Sequence, residues 1–264
     1  MPLKLGGGEP AVNVDELRAA RPVRKASAGK ARLADSLDML EGSREIDVRM
    51  GHELRSPDAL IGRGEGSGFF GYQWREKPGS GAVLLCDSYV MTAPTFPLHP
   101  HRHISAVAIV FEDSMGQMYS TDSVGTNHHF GPGDVHWTLA GSGVQHTQTP
   151  TTGSRIHAVQ MFIDLPEALR DSPARTFHLP AKDAPVHQTA NCRVRLLVGA
   201  AFGLRSPLEI PQDLLVMEGT SDSDLEIPVP EGWKLWMYDR VHDRAGYTSE
   251  PTVNGAFLAL ASPM

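Results

Sequence analysis

Apolar residues in this chain fall into short runs rich in β-branched and aromatic side chains, each closed by a glycine-containing corner. Gly68–Trp74, Ala82–Val90, His101–Phe111, Tyr119–Ser123, Val135–Leu139, Val144–Thr149 and His157–Leu165 read as strands. Alternating, β-branched sequence fits a pleated, half-buried surface. Between these runs, Glu112–Gly116 reads as a hairpin turn, Phe130–Val135 (FGPGDV) as a tight corner and Ala140–Gly143 as another turn. Asp134 is expected to cap its corner, since an Asp side chain readily bonds nearby backbone N–H groups. Trp137 and the methionines Met115, Met118 and Met161 are expected to pack in the core. Six or more strands at roughly 8–15-residue spacing with glycine corners predict an antiparallel sandwich or barrel.

Beyond this set the pattern weakens. Pro173, Pro180 and Pro185 break any helix over residues 167–190, which read as a connector. A second strand set follows at Arg193–Leu197, Asp213–Met217, Lys234–Tyr238 and Ala256–Ala261, while Glu218–Glu226 reads as a solvated acidic loop. Residues 1–45 are polar and read as a solvated extension, with a short amphipathic helix at Asp35–Leu40. The expected organisation is therefore an extension (1–45), a first barrel (46–170) and a C-terminal part (171–264).

Composition narrows the classes of function. The 26 glycines and 20 prolines favour turns and short strands over long helices. A formal charge of −7 argues against non-specific binding to nucleic acid or to an anionic membrane. No apolar stretch approaches a membrane span, which needs about 20 residues. Cys86 and Cys192, neither in a CxxC, suit a reducing compartment, and the N-terminus lacks a secretory apolar core. The expected location is the cytoplasm.

The candidate chemistry is histidine chemistry. In an extended strand alternate side chains share a face, so His99, His101 and His103 are expected on one face, and His146 shares a face with Gln148. Paired strands would bring the two sets to one point. Neutral imidazole suits Zn, Fe, Cu and Ni. The alternative is a set of hydrogen-bonded polar residues on an exposed strand. His128, His129 and His136 flank the Gly131-Pro132-Gly133 corner and are expected at loop or rim positions.

The segments HPHRH, GPGDVHWTLAGSGVQHTQ and VQMFIDLP resemble the pirin family of bicupin proteins, with strong motifs over residues 68–170 and a fainter likeness (PVPEGWKLWMYD) to about residue 240. The resemblance implies an all-β cupin fold, a β-barrel/sandwich of bicupin type with a shortened second barrel. It also implies an N-terminal metal site, Fe(II) first, with Cu, Ni, Zn or Mn as alternatives. Quercetin 2,3-dioxygenase-like activity or a metal-dependent role as a transcriptional cofactor goes with it. On the family pattern His99, His101 and His146 are metal ligands, and Gln148 stands where the family has its fourth ligand, a glutamate. Ser105 replaces a second glutamate and His103 replaces glycine.

An amide oxygen coordinates more weakly than a carboxylate and takes no proton near neutral pH, so Gln148 weakens the quercetinase assignment at its base. His103 is the candidate substitute base, with Gln148 positioning the substrate. The expected reaction is dioxygenation or Lewis-acid cyclisation or isomerisation of a small oxygenated, aromatic or polyketide-like molecule. The competing class is a metal-binding, non-enzymatic regulator that docks on a protein partner. A small-molecule substrate is expected, with no nucleic acid or membrane partner and with a homodimer or protein partner left open.

Overall fold

A computed structural model describes residues 12–13, 54–62 and 68–264. The Asp35–Leu40 helix and nearly all of the N-terminal extension lie outside the described residues. The first eleven strands are β1 (Val12–Asn13), β2 (Ala59–Gly62), β3 (Phe69–Arg75), β4 (Val83–Met91), β5 (His99–Arg102), β6 (Ile104–Val110), β7 (Met118–Asp122), β8 (Asn127–Phe130), β9 (Val135–Leu139), β10 (Val144–Pro150) and β11 (Ile156–Asp164). A one-turn helix, α1 (Glu167–Arg170), precedes β12 (Arg175–Leu179), β13 (Val186–Gln188), β14 (Cys192–Val198), β15 (Ala200–Ala201) and β16 (Leu204–Arg205). The last four are β17 (Leu215–Glu226), β18 (Trp233–Asp239), β19 (Arg244–Thr248) and β20 (Thr252–Pro263).

These strands form a five-stranded sheet (β1-β5-β10-β7-β8), a seven-stranded sheet (β12-β9-β6-β11-β4-β3-β2), a six-stranded sheet (β13-β14-β17-β20-β18-β19) and a two-stranded ribbon (β15-β16). The β1–β5 pair is parallel and the other pairings are antiparallel. No helix among the described residues is long and apolar enough to cross a membrane.

The seven-stranded sheet is the central layer. Its inner face packs Tyr89, Ala108, Ala158 and Phe162 towards Met118, Phe130 and Val144 of the five-stranded sheet. Its other face packs Trp74, Val107, Ile109 and Met161 against Val216, Trp236, Leu258 and Leu260 of the six-stranded sheet. Burial on both faces explains β6, whose sequence ISAVAIV is buried at every position and carries no polar alternation.

The structure corrects several sequence expectations. The expected His101–Phe111 strand is two strands, because the chain turns at His103 and crosses from the five-stranded to the seven-stranded sheet. Glu112–Gly116 is a turn, but the strands it joins, β6 and β7, lie in different sheets, so it is a corner between layers and not a hairpin. The 167–190 connector contributes β12, paired with β9, and β13, paired with β14. The acidic stretch from Glu218 is the body of β17, with Glu218 buried against Arg195. Met115 is 60% exposed, whereas Met118, Met161 and Trp137 are buried. Asp134 does cap its corner, accepting the Gly131 N–H at 2.9 Å and the Ala181 N–H at 2.8 Å.

Candidate metal centre

Two strand positions bring three imidazoles together. In the β5–β10 register His99 lies opposite His146 and His101 opposite Val144, so all four project from one face into the space between the sheets. The ring centroids of His99, His101 and His146 are 4.7–4.8 Å apart pairwise. One ligand nitrogen from each lies within 4.8 Å of the other two. His101 and His146 are each 2% exposed, and the ring of Phe162 stands 5.1 Å from that of His101 as an apolar wall.

The donor set fits a divalent cation. The Nε2 atoms of His101 and His146 are 3.0 Å apart. Two ligands at about 2.0–2.1 Å from one ion and at right angles to each other would be about 2.9 Å apart. A hydrogen bond between the same two nitrogens would also give this spacing, and in either arrangement the Nδ1 atoms of both rings are buried with no partner among the described residues. His99 holds its Nδ1 2.8 Å from the Pro97 carbonyl, which accepts the proton there and leaves Nε2 as a lone-pair donor.

Electrostatics points the same way. Burial, with the neighbouring His146 and His99, holds His101 well below the ordinary imidazole range, and burial with His99 brings His146 down to about 3. Both rings are therefore neutral at physiological pH, the form that binds a metal.

The other expected site residues fall differently. Gln148 is buried on the same strand face as His146, opposite Ser120 of β7, with its amide Nε2 unpartnered among the described residues. His103 is not brought to the cluster. Its φ of 62° places it in the left-handed region, its N–H donates to Gly141 O at 2.9 Å, and its ring meets Arg102 and the exposed Asp171. The shared face expected for His99, His101 and His103 therefore holds only for the first two. Glycine is the residue best suited to that left-handed corner. Ser105 is buried on β6 with its hydroxyl unpartnered among the described residues.

Two features went unread in the sequence. His136, expected at a rim, is fully buried on β9 and contacts His128, Ser120 and Thr138. The alternation of β9 held a signal, since His136 and Thr138 share a face two residues apart. Asp87 interrupts the apolar β4 on the face shared with Tyr89 and Met91, and accepts the Gln73 amide at 2.8 Å. Burial pushes its carboxyl up to about 6, against the pull of the Gln73 bond and of Arg75.

The Pirin family model matches residues 71–163. Human Pirin is 27% identical over 158 residues, covering 59% of this chain and 54% of that protein, so the chain spans about half the length of such curated relatives. A pirin-like protein from Solanum lycopersicum is 26% identical over 180 residues, covering 67% of this chain and 61% of its own. Among solved structures, a quercetin 2,3-dioxygenase from Acinetobacter baumannii superposes with a TM-score of 0.65 at 22% identity, covering 80% of this chain and 85% of that one. Bacterial pirin YhhW from Escherichia coli, in complex with nickel(II), superposes at 0.58 and 17% identity, covering 80% and 98%. The fold is an all-β cupin sandwich.

Proposed function

We propose that this chain, whose residues 71–163 match the Pirin family model, is a metal-dependent cupin enzyme acting on a small oxygenated molecule of aromatic or polyketide-like type. The observation that carries this reading is the convergence of His99, His101 and His146 on one point inside the sandwich, with two of the rings almost wholly buried. These three residues would hold the ion, with Gln148 as the adjacent amide ligand or substrate anchor. A divalent ion bound there supplies Lewis-acid polarisation of an oxygen ligand and a centre at which dioxygen reacts. Iron remains first among candidate metals, and the nickel in YhhW keeps nickel in contention.

The chain's own residues set the limits of the chemistry. Three neutral imidazoles bring no negative charge to offset a divalent ion, which favours an anionic oxygen ligand such as an enolate or carboxylate. Phe162, Ala106 and Ala108 line the opposing sheet and exclude water from that side. Gln148 donates or accepts a hydrogen bond but holds no proton for transfer, so a proton leaving the ligand must find another acceptor. Ring cleavage with dioxygen and redox-neutral cyclisation or isomerisation both suit this base-poor centre.

Elemental analysis of the purified and metal-reconstituted protein tests the reading. About one transition-metal ion per chain is expected, with most of it lost in His101→Ala. Unchanged stoichiometry in that variant, or no metal in either protein, would remove the proposal. A metal-loaded protein then justifies screening enolisable aromatic and diketone substrates with and without dioxygen.

A further inference from the structure

A line of polar side chains leads from the inner end of the candidate metal centre to the surface. Ser120 is buried and lies opposite Gln148 in the β7–β10 register. Its Oγ is 3.3 Å from His136 Nε2, which also meets Thr138 Oγ1 at 3.1 Å. On the other side of the same ring, His136 Nδ1 is 3.2 Å from His128 Nε2. The rings of His128 and His178 are 4.9 Å apart, and His178 Nε2 is 3.3 Å from Asp134 Oδ2. His178 lines a cavity of about 330 Å³ open to solvent, with Pro180, Asp183 and Pro207 on its walls. Three different strands supply the histidines: β8 (His128), β9 (His136) and β12 (His178).

We infer that Ser120, His136 and His128 form a proton relay between the metal chamber and solvent, with His178 at its outer end. The inference rests on the reading of the site as a metal centre, and it supplies the acceptor that Gln148 cannot be. The acidic hydroxyl of a bound enolisable ligand is the donor and bulk water is the final acceptor. A proton reaching His136 Nε2 through the Ser120 hydroxyl is matched by release of the Nδ1 proton to His128 Nε2. His128 then releases its other proton outward, so no ring gains net charge once transfer is complete. The ligand is left one proton poorer and solvent one proton richer.

The surroundings suit transfer better than storage of charge. Burial and the nearby His128, His146 and His178 keep His136 neutral, and burial with His178 lowers His128. The groups facing His128 are His178, Asp122, Asp134 and His129, and the two carboxylates favour a passing positive charge as the proton moves outward.

The test uses the full chain labelled with ¹⁵N-histidine, as purified and after loading with Zn(II), with metal content measured on the same samples. A resolved through-hydrogen-bond coupling between His136 Nδ1 and His128 Nε2 is expected, and its absence would overturn the relay. In D2O the buried His136 ring N–H should exchange at least 10-fold more slowly in His128→Phe than in the parent protein. A merely structural His128 gives the opposite sign, because its loss would loosen the site, so unchanged or faster exchange also overturns the inference. If His128→Phe does not fold, the coupling in the parent decides. Absence of bound metal with the coupling and exchange intact would sink the metal-centre reading and leave the relay geometry standing.

Discussion

At the level of single residues, the site is defined by what Gln148 and His103 do with their places. Gln148 stands beside His146 on the buried face of β10 with an unpartnered amide nitrogen. Replacing it with glutamate restores a charged oxygen donor. Gln148→Glu is therefore expected to tighten divalent-metal binding roughly 10-fold, on the scale by which changes around a metal site alter affinity. Competition against a calibrated chelator measures this, and equal or weaker affinity would place the residue 148 side chain away from the ion. His103 makes the contrasting case. Its backbone is left-handed and its ring contacts Arg102 and Asp171 at the surface. An L-residue with a side chain costs about 1–2 kcal/mol in that conformation. His103→Gly should therefore leave metal stoichiometry unchanged and raise stability by up to about 1 kcal/mol in urea unfolding. Loss of metal in this variant would return His103 to the site.

At the level of strands, alternation carried most of the legible information, and layer order carried what was missed. The β5 and β10 histidines could be read from spacing because both strands have one face towards the chamber and one towards solvent. The break at His103 could not, since nothing in the sequence separates a continuous strand from two strands that join different sheets at a left-handed residue. The same limit hid β12: a proline-rich segment still pairs where it is an edge strand, and β12 lies at the edge beside β9. β17 was hidden for another reason, because the charge of Glu218 is neutralised by Arg195, a residue 23 positions away in sequence. Inward alternation also has a cost in acid. His101, His136 and His146 point inward from β5, β9 and β10, and burial lowers all three. The unfolded chain takes up their protons near pH 6.5 and the folded chain does not, so stability falls as pH drops below that point. Between pH 7.5 and 5.5 each contributes a loss of about 1.4 kcal/mol. Asp87, raised to about 6, binds its proton more tightly when folded and offsets about 1 kcal/mol of that loss. Metal-free protein should therefore be about 3 kcal/mol less stable at pH 5.5 than at 7.5. Equal urea midpoints at the two pH values would contradict the burial of these imidazoles.

At the level of the whole molecule, the chamber is held from outside by the six-stranded sheet. Trp236 Nε1 donates to Glu76 at 2.9 Å, Tyr238 Oη gives its proton to Asp243 and accepts from the Ser88 hydroxyl at 2.8 Å, and Lys234 Nζ donates to the Ser80 carbonyl at 2.8 Å. A further buried link is Arg195, 1% exposed, which donates to Glu218 at 2.6 Å and to the carbonyl of Gly133. Gly133 belongs to the corner that leads into β9 and His136, so this arginine ties the second half of the chain to the wall of the chamber. Burial pushes the Glu218 carboxyl above the usual range even though Arg195 and Arg240 pull it down. Arg195→Met would leave that carboxylate with only Arg240, 3.7 Å away, for a partner. Breaking a buried pair from one side costs about 3–5 kcal/mol, whereas exchanging both partners for apolar residues is often near neutral. Arg195→Met should therefore lower stability by about 3 kcal/mol, and Arg195→Met combined with Glu218→Leu should recover most of the loss. Tryptophan fluorescence during urea unfolding reads both halves, because Trp137 and Trp236 share one core. A loss below about 1 kcal/mol in the single variant would mean that the halves are joined by their apolar core alone. The full loss, with both tryptophans reporting one transition, would mean that the second half acts as the brace of the metal chamber.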